Sequence, residues 1–154
     1  MIKLIYIVPV VALLILLPVV MGEKDDSEVP DGALLPRRWM AVRYNESLKR
    51  CEDADMKPYM PKTREQWDNL AKVLAANNLR DSEIWIPATD RETEETLLWE
   101  DGTDVNLDNI KWYKDVKLKY NRWDLDCVAI GSGNQPNAVM LPCWVKCMPM
   151  VCVP

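Results

Sequence analysis

Histidine is absent from all 154 residues. That removes the commonest general base, and with it any Ser-His-Asp or Cys-His device. Nor does any pair among the five cysteines stand as CxxC. Without histidine a zinc site would need four thiolates at suitable spacing, so metal ligation by the cysteines is not expected. An excess of positive charge is lacking too. Lys and Arg total 19 against 24 Asp and Glu, a net charge of −5, whereas a nucleic-acid protein wants a basic face. No internal repeat or low-complexity tract is present. Carboxylate-only chemistry of the glycosidase kind survives these exclusions. Its candidates, Glu92, Glu94, Glu95, Glu100, Asp101 and Asp104, fall in a polar stretch that reads as a charged surface loop.

One long uncharged apolar run exists, residues 4–20, behind Lys3 and ahead of the acidic EKDD. A positive start, an apolar core and small residues around Val20-Met21-Gly22 read as a secretory signal peptide over 1–22. The alternative is an uncleaved signal anchor, which would make a type II membrane protein; the run is near the lower limit for spanning, and Pro9 and Pro18 interrupt it. Residues 23–38 are acidic and bear proline and glycine, so they read as a flexible tail. Residues 39–154 are then one domain, and the chain left after removal of 1–22 is long enough to bury roughly two thirds of its unfolded surface. All five cysteines lie in it, which for an exported chain predicts a disulfide framework with one thiol left over.

Residues 39–51 allow a strand entering a helix, in which Tyr44, Ser47, Leu48 and Cys51 recur at helical spacing. Asn45-Glu46-Ser47 at its start is a glycosylation sequon. Thr63-Arg64-Glu65-Gln66 is a capping box, and Trp67, Leu70, Ala71 and Leu74 follow as one apolar stripe of a second helix that ends at Asn77-Asn78. After Asp81 the period becomes two: Ile84 and Ile86 point one way and Trp85 the other. Leu97-Leu98-Trp99 meets a turn at Glu100-Asp101-Gly102, and short apolar strands recur at 126–130, 139–141 and 150–153. Two helices followed by short strands with long connections predict an α+β fold.

These signals, in this order, resemble the C-type lectin-like domain. Tyr44-x-x-Ser47-x-x-x-Cys51 is similar to the family's first helix, which usually has Trp and Ala there. Residues 63–70 resemble its second helix, and Glu83-Ile84-Trp85-Ile86 its "WIGL" strand. Trp99-Glu100-Asp101-Gly102 resembles "W-x-D-G", and Asp126-Cys127-Val128-Ala129-Ile130 resembles "NCVAL". Cys143 and Cys152 resemble the closing cysteines. The resemblance covers 39–154 and implies two helices, two small antiparallel sheets and a long loop. It also implies disulfides Cys51–Cys152 and Cys127–Cys143. Cys147 is then unpaired, either a buried free thiol or the link of a disulfide-bonded dimer.

In the family's sugar-binding members, as the resemblance implies, calcium is held by an oxygen-bearing triplet around a proline ahead of "NCVAL" and by Trp-Asn-Asp after it. Here the one such triplet, Gln135-Pro136-Asn137, follows Cys127, and residues 103–126 contain no proline. The Trp-Asn-Asp position maps to Ala138-Val139-Met140, which have no side-chain oxygen. No cofactor is expected, calcium included. What the long-loop region offers is a basic-aromatic segment at 109–123, with Lys111, Trp112, Tyr113, Lys114, Lys117, Lys119 and Arg122 as candidate ligand contacts. The competing reading makes the tryptophans core residues and the lysines solvated loop. The sequence therefore predicts a secreted, calcium-independent, non-enzymatic interaction module that binds an extracellular protein or an anionic glycan. The alternative is a carbohydrate-binding lectin with a degenerate site.

Overall fold

The computed structural model describes residues 28–37, 39–79, 82–113, 124–131 and 137–154. The first helix, α1, spans Tyr44–Asp53. Glu46 caps it by accepting the Arg43 N–H at 2.8 Å. Tyr44, Ser47 and Cys51 form its buried face, and Leu48 is half-buried beside them. Strand β1 (Lys57–Pro58) leads to α2 (Arg64–Ala76). The expected capping box is formed: the Thr63 hydroxyl accepts from the Gln66 N–H, and the Gln66 side chain accepts from that of Thr63, both at 3.1 Å. Asn78, at φ 58°, turns the chain out of the helix.

The strands follow as β2 (Ile84–Thr89), β3 (Leu98–Trp99), β4 (Cys127–Ile130), β5 (Ala138–Leu141) and β6 (Cys152–Val153), with a 3-10 turn at Leu107–Asn109. They make an antiparallel four-stranded sheet, ordered β3-β2-β4-β5, and a β1-β6 pair. Pro87 sits inside β2, where it has no N–H for the ladder. The β2–β4 register shifts between Trp85 and Thr89, around that proline, and the Pro87 carbonyl accepts from Glu100 instead.

Both faces of this sheet are covered. Ile84, Ile86, Ala88, Val128 and Ile130 point into the larger core with Trp67, Leu70 and Leu74 of α2. Trp85, Cys127 and Ala129 point the other way, into a second core with Tyr44 and Cys51 of α1. The period-two pattern expected around Trp85 is thus observed with neither side facing water. Trp85 and Tyr44 meet edge to face at 5.5 Å, and the Trp85 indole N–H donates to the Val42 carbonyl at 2.9 Å.

Both implied disulfides are present. Cys51–Cys152 joins α1 to β6 and Cys127–Cys143 ties β4 to the segment after β5. The packed unit starts earlier than the expected boundary at 39. Leu34 exchanges backbone hydrogen bonds with Cys152 at 2.8 and 3.1 Å, and Val29, Ala33 and Leu35 pack on the larger core. Arg50 reinforces this seam from α1, donating to the carbonyls of Leu35 (3.1 Å) and Met150 (3.3 Å). The strand expected ahead of α1 is a single bridge, Val42 to Cys147, and Trp39 stands 79% exposed. Among the described residues no helix is long and apolar enough to cross a membrane; the apolar run 4–20 lies outside them.

Candidate functional site

The entry to the long loop is built from α2 outward. Asn106 caps the 3-10 turn by accepting from the Asp108 N–H at 3.0 Å. Asn109 Nδ2 then donates to the Lys62 carbonyl at 2.8 Å, and Ile110 is buried in the larger core. This fixes the three described members of the basic-aromatic segment. Lys111 forms a 2.5 Å ion pair with Asp68 of α2, so its charge is engaged inside the domain. Trp112 is half-buried against the larger core, and its indole N–H donates to the Leu107 carbonyl at 3.3 Å. Tyr113 is 47% exposed. Trp112 packs on the core, as the competing reading had it, whereas Lys111, which that reading left to solvate the loop, is paired with Asp68. Lys114, Lys117, Lys119 and Arg122 lie outside the described residues, as do Gln135 and Pro136 of the Gln-Pro-Asn triplet.

The start of β5 lies directly against this entry. Trp112 bridges Ala138, and the Ala138 N–H donates to the Lys111 carbonyl at 2.5 Å. Ala138 is fully buried and Val139 and Met140 are half-buried. These three positions present methyl, isopropyl and thioether groups, and calcium requires hard oxygens. The residues there do not fit the ion. Among the described residues no group of three or more His, Cys, Asp or Glu could hold a metal.

A second constellation surrounds Tyr44, and local sequence patterns do not announce it. The Tyr44 hydroxyl donates to Glu100 Oε1 at 2.6 Å. Burial, and next the Glu100 carboxylate, push the phenol well above its ordinary range, so it stays a neutral donor. The Arg91 guanidinium lies 5.3 Å from the centre of the Tyr44 ring. It also donates to Thr89 Oγ1 (3.3 Å) and Asn45 Oδ1 (3.1 Å). Thr89, Arg91, Leu98, Trp99 and Glu100 border an open cleft of ≈ 400 Å³ beside this network. Tyr44 and Glu100 are 56 positions apart, which is why neither helical nor strand periodicity links them.

Of the carboxylates weighed as catalytic, Glu100 and Asp101 have structural partners. Asp101 pairs with Lys62 at 2.5 Å and accepts from both the backbone N–H and the hydroxyl of Thr103. Those contacts, the Lys62 hydrogen bond first, hold its carboxyl down at about 2. A general acid needs the opposite shift. Among the described residues Asp90, just after β2, is the carboxyl pushed upward, mainly by burial and then by Glu94 and Asp126. Its Oδ2 accepts from the Glu95 N–H at 3.3 Å.

Cys147 is the unpaired cysteine. It is 3% exposed, and burial followed by the nearby Glu83 carboxylate raises its thiol to about 12. In the sequon, Asn45 is exposed and Ser47 fully buried.

The family model described as the lectin C-type domain matches residues 41–153. Human lithostathine is similar in structure, with a TM-score of 0.64 at 17% identity over 81% of this chain and 89% of that one. The C-type lectin domain of murine dendritic cell inhibitory receptor 2, in complex with N-glycan, gives 0.63 at 18% identity over 78% and 87%. Herring type II antifreeze protein gives 0.61 at 15% identity over 78% and 87%. At such identities the likeness is one of fold. No curated protein matches the chain.

Proposed function

The chain belongs to the C-type lectin domain family, and from that premise we propose that it is an exported, calcium-independent binding module. Its ligand is an extracellular protein or an anionic glycan, met by the basic-aromatic segment that continues beyond Tyr113. One observation carries this reading. Where the family's sugar binders place oxygen ligands, this chain has Ala138, Val139 and Met140, and the Ala138 N–H is taken by the Lys111 carbonyl of the loop itself. With Lys111 paired to Asp68, the contacts fall to Tyr113, Lys114, Lys117, Lys119 and Arg122. Basic and aromatic groups suit an acidic partner, because charge steers the encounter while planar side chains fill pockets.

An enzymatic role has little support from the chain: no histidine is present, and Glu100 and Asp101 are each committed to structural partners. Cys147 suits a buried thiol better than a link between chains, because a disulfide to a second copy would first have to expose a 3% accessible sulfur. The apolar run at 4–20 supports export, with anchoring as the alternative that N-terminal sequencing of the exported form resolves.

The test is a capture of extracellular partners with and without chelator, repeated with Lys114, Lys117 and Arg122 replaced together. Chelator should change nothing, and the triple replacement should lose the partner. Glycan-array binding abolished by chelator would instead support a sugar-binding lectin. So would a melting temperature that rises with calcium and falls back with chelator.

A further inference from the structure

The sequon carries a contradiction between its chemistry and its fold. An Asn-x-Ser acceptor needs the asparagine amide as nucleophile and the serine hydroxyl as the group the transferase reads. Both belong to the first turns of α1, where positions i and i+2 do not share a face. Asn45 is exposed, and its Oδ1 accepts from Arg91, which leaves Nδ2 free to carry a substituent. Ser47 is 0% exposed, and its Oγ accepts the Met150 N–H at 2.7 Å in a buried hydrogen bond. Met150 lies two residues before Cys152, which is bonded to Cys51 one turn beyond Ser47 in the same helix. The segment that leads into the last strand therefore closes over the serine half of the sequon, and the disulfide locks it there.

We infer that Asn45 is an N-glycosylation site usable only before the Met150–Cys152 segment docks, so that glycan transfer and closure of Cys51–Cys152 are ordered, glycan first. The inference rests on the exported reading for its compartment. In the transfer, Asn45 Nδ2 attacks the anomeric carbon of a lipid-pyrophosphate-linked oligosaccharide. A C–N bond forms, the C–O bond to pyrophosphate breaks, the lipid pyrophosphate leaves with the electron pair, and the amide proton passes to a base of the transferase. The folded protein accommodates the product, because the sugar projects into solvent and the Arg91–Asn45 bond uses the other amide atom.

The experiment presents purified oligosaccharyltransferase and its lipid-linked donor with the full chain in three forms: oxidised and folded, reduced and alkylated, and as Cys152→Ala. Mass gain at Asn45 is the readout and Asn45→Gln the blank. The reduced chain and Cys152→Ala should be glycosylated at least tenfold faster than the folded form. Equal rates for folded and reduced chain would overturn the inference, and so would no transfer to the reduced chain. The purified reaction does not pass through the leader, so its failure is distinct from a failure of export.

Discussion

Glu95 holds φ at 66°, a left-handed backbone conformation that costs a residue with a Cβ about 1–2 kcal/mol. Its backbone N–H is needed by Asp90, but its side chain is exposed. Glu95→Gly keeps the hydrogen bond and removes the strain. It should raise stability by about 0.5–1 kcal/mol in urea unfolding, the entropy of the unfolded glycine offsetting part of the relief. Asp101 illustrates the reverse case, a residue whose charge helps the fold. Its carboxyl lies at about 2 in the native state against 3.8 without its partners. The folded form thus prefers the carboxylate, and the contribution is present above pH 3.8 and lost as pH falls toward 2. Asp101→Asn should lower the melting temperature at pH 7, and the gap from the parent should close over that acid window. A gap that does not depend on pH would mean that shape, rather than charge, matters at Asp101.

Of the elements, α2 is the most self-contained. Its cap, its apolar stripe and its end at Asn77 all lie within one short stretch, and all are observed. Thr63→Ala removes the acceptor for the Gln66 N–H and should cost about 1 kcal/mol, read from the shift of the unfolding midpoint. The first helix depends on distant chain. Its buried face meets Trp85, Met150 and Cys152, and its Arg50 reaches carbonyls at positions 35 and 150. Amphipathic spacing exposed that face in the sequence, but spacing cannot say what covers it. Strand β2 shows the same division. The alternation of Ile84, Trp85 and Ile86 was legible, whereas the burial of both faces follows from helices packed above and below. At the loop entry, aromatic and basic composition marked residues 109–123. Only the fold separates Lys111, bound to Asp68, from Tyr113, which is exposed.

For the whole molecule, the two disulfides differ in reach, spanning 101 and 16 positions. In the chain-entropy model the longer loop stabilises by about 4–5 kcal/mol and the shorter by about 3. Cys51→Ala/Cys152→Ala should therefore lower stability more than Cys127→Ala/Cys143→Ala in guanidinium unfolding. The excess should be larger still because the seam of Leu34, Arg50 and Met150 loosens with it. A reversed order would show that the β4–β5 end depends more on its crosslink than the α1–β6 seam does.

The sequence by itself determined the α+β class, the capped second helix, the alternating strand and the absence of histidine chemistry, because each is written in neighbouring residues or in composition. Family resemblance added the disulfide pairing, which local pattern cannot supply. Tertiary structure alone decided that Tyr44 would bond Glu100 and that Lys111 would pair with Asp68. It also decided that the domain would begin before Leu34 and that Ser47 would vanish under Met150. Each of those contacts joins positions dozens of residues apart, and a contact that spans such a distance leaves no periodicity behind it.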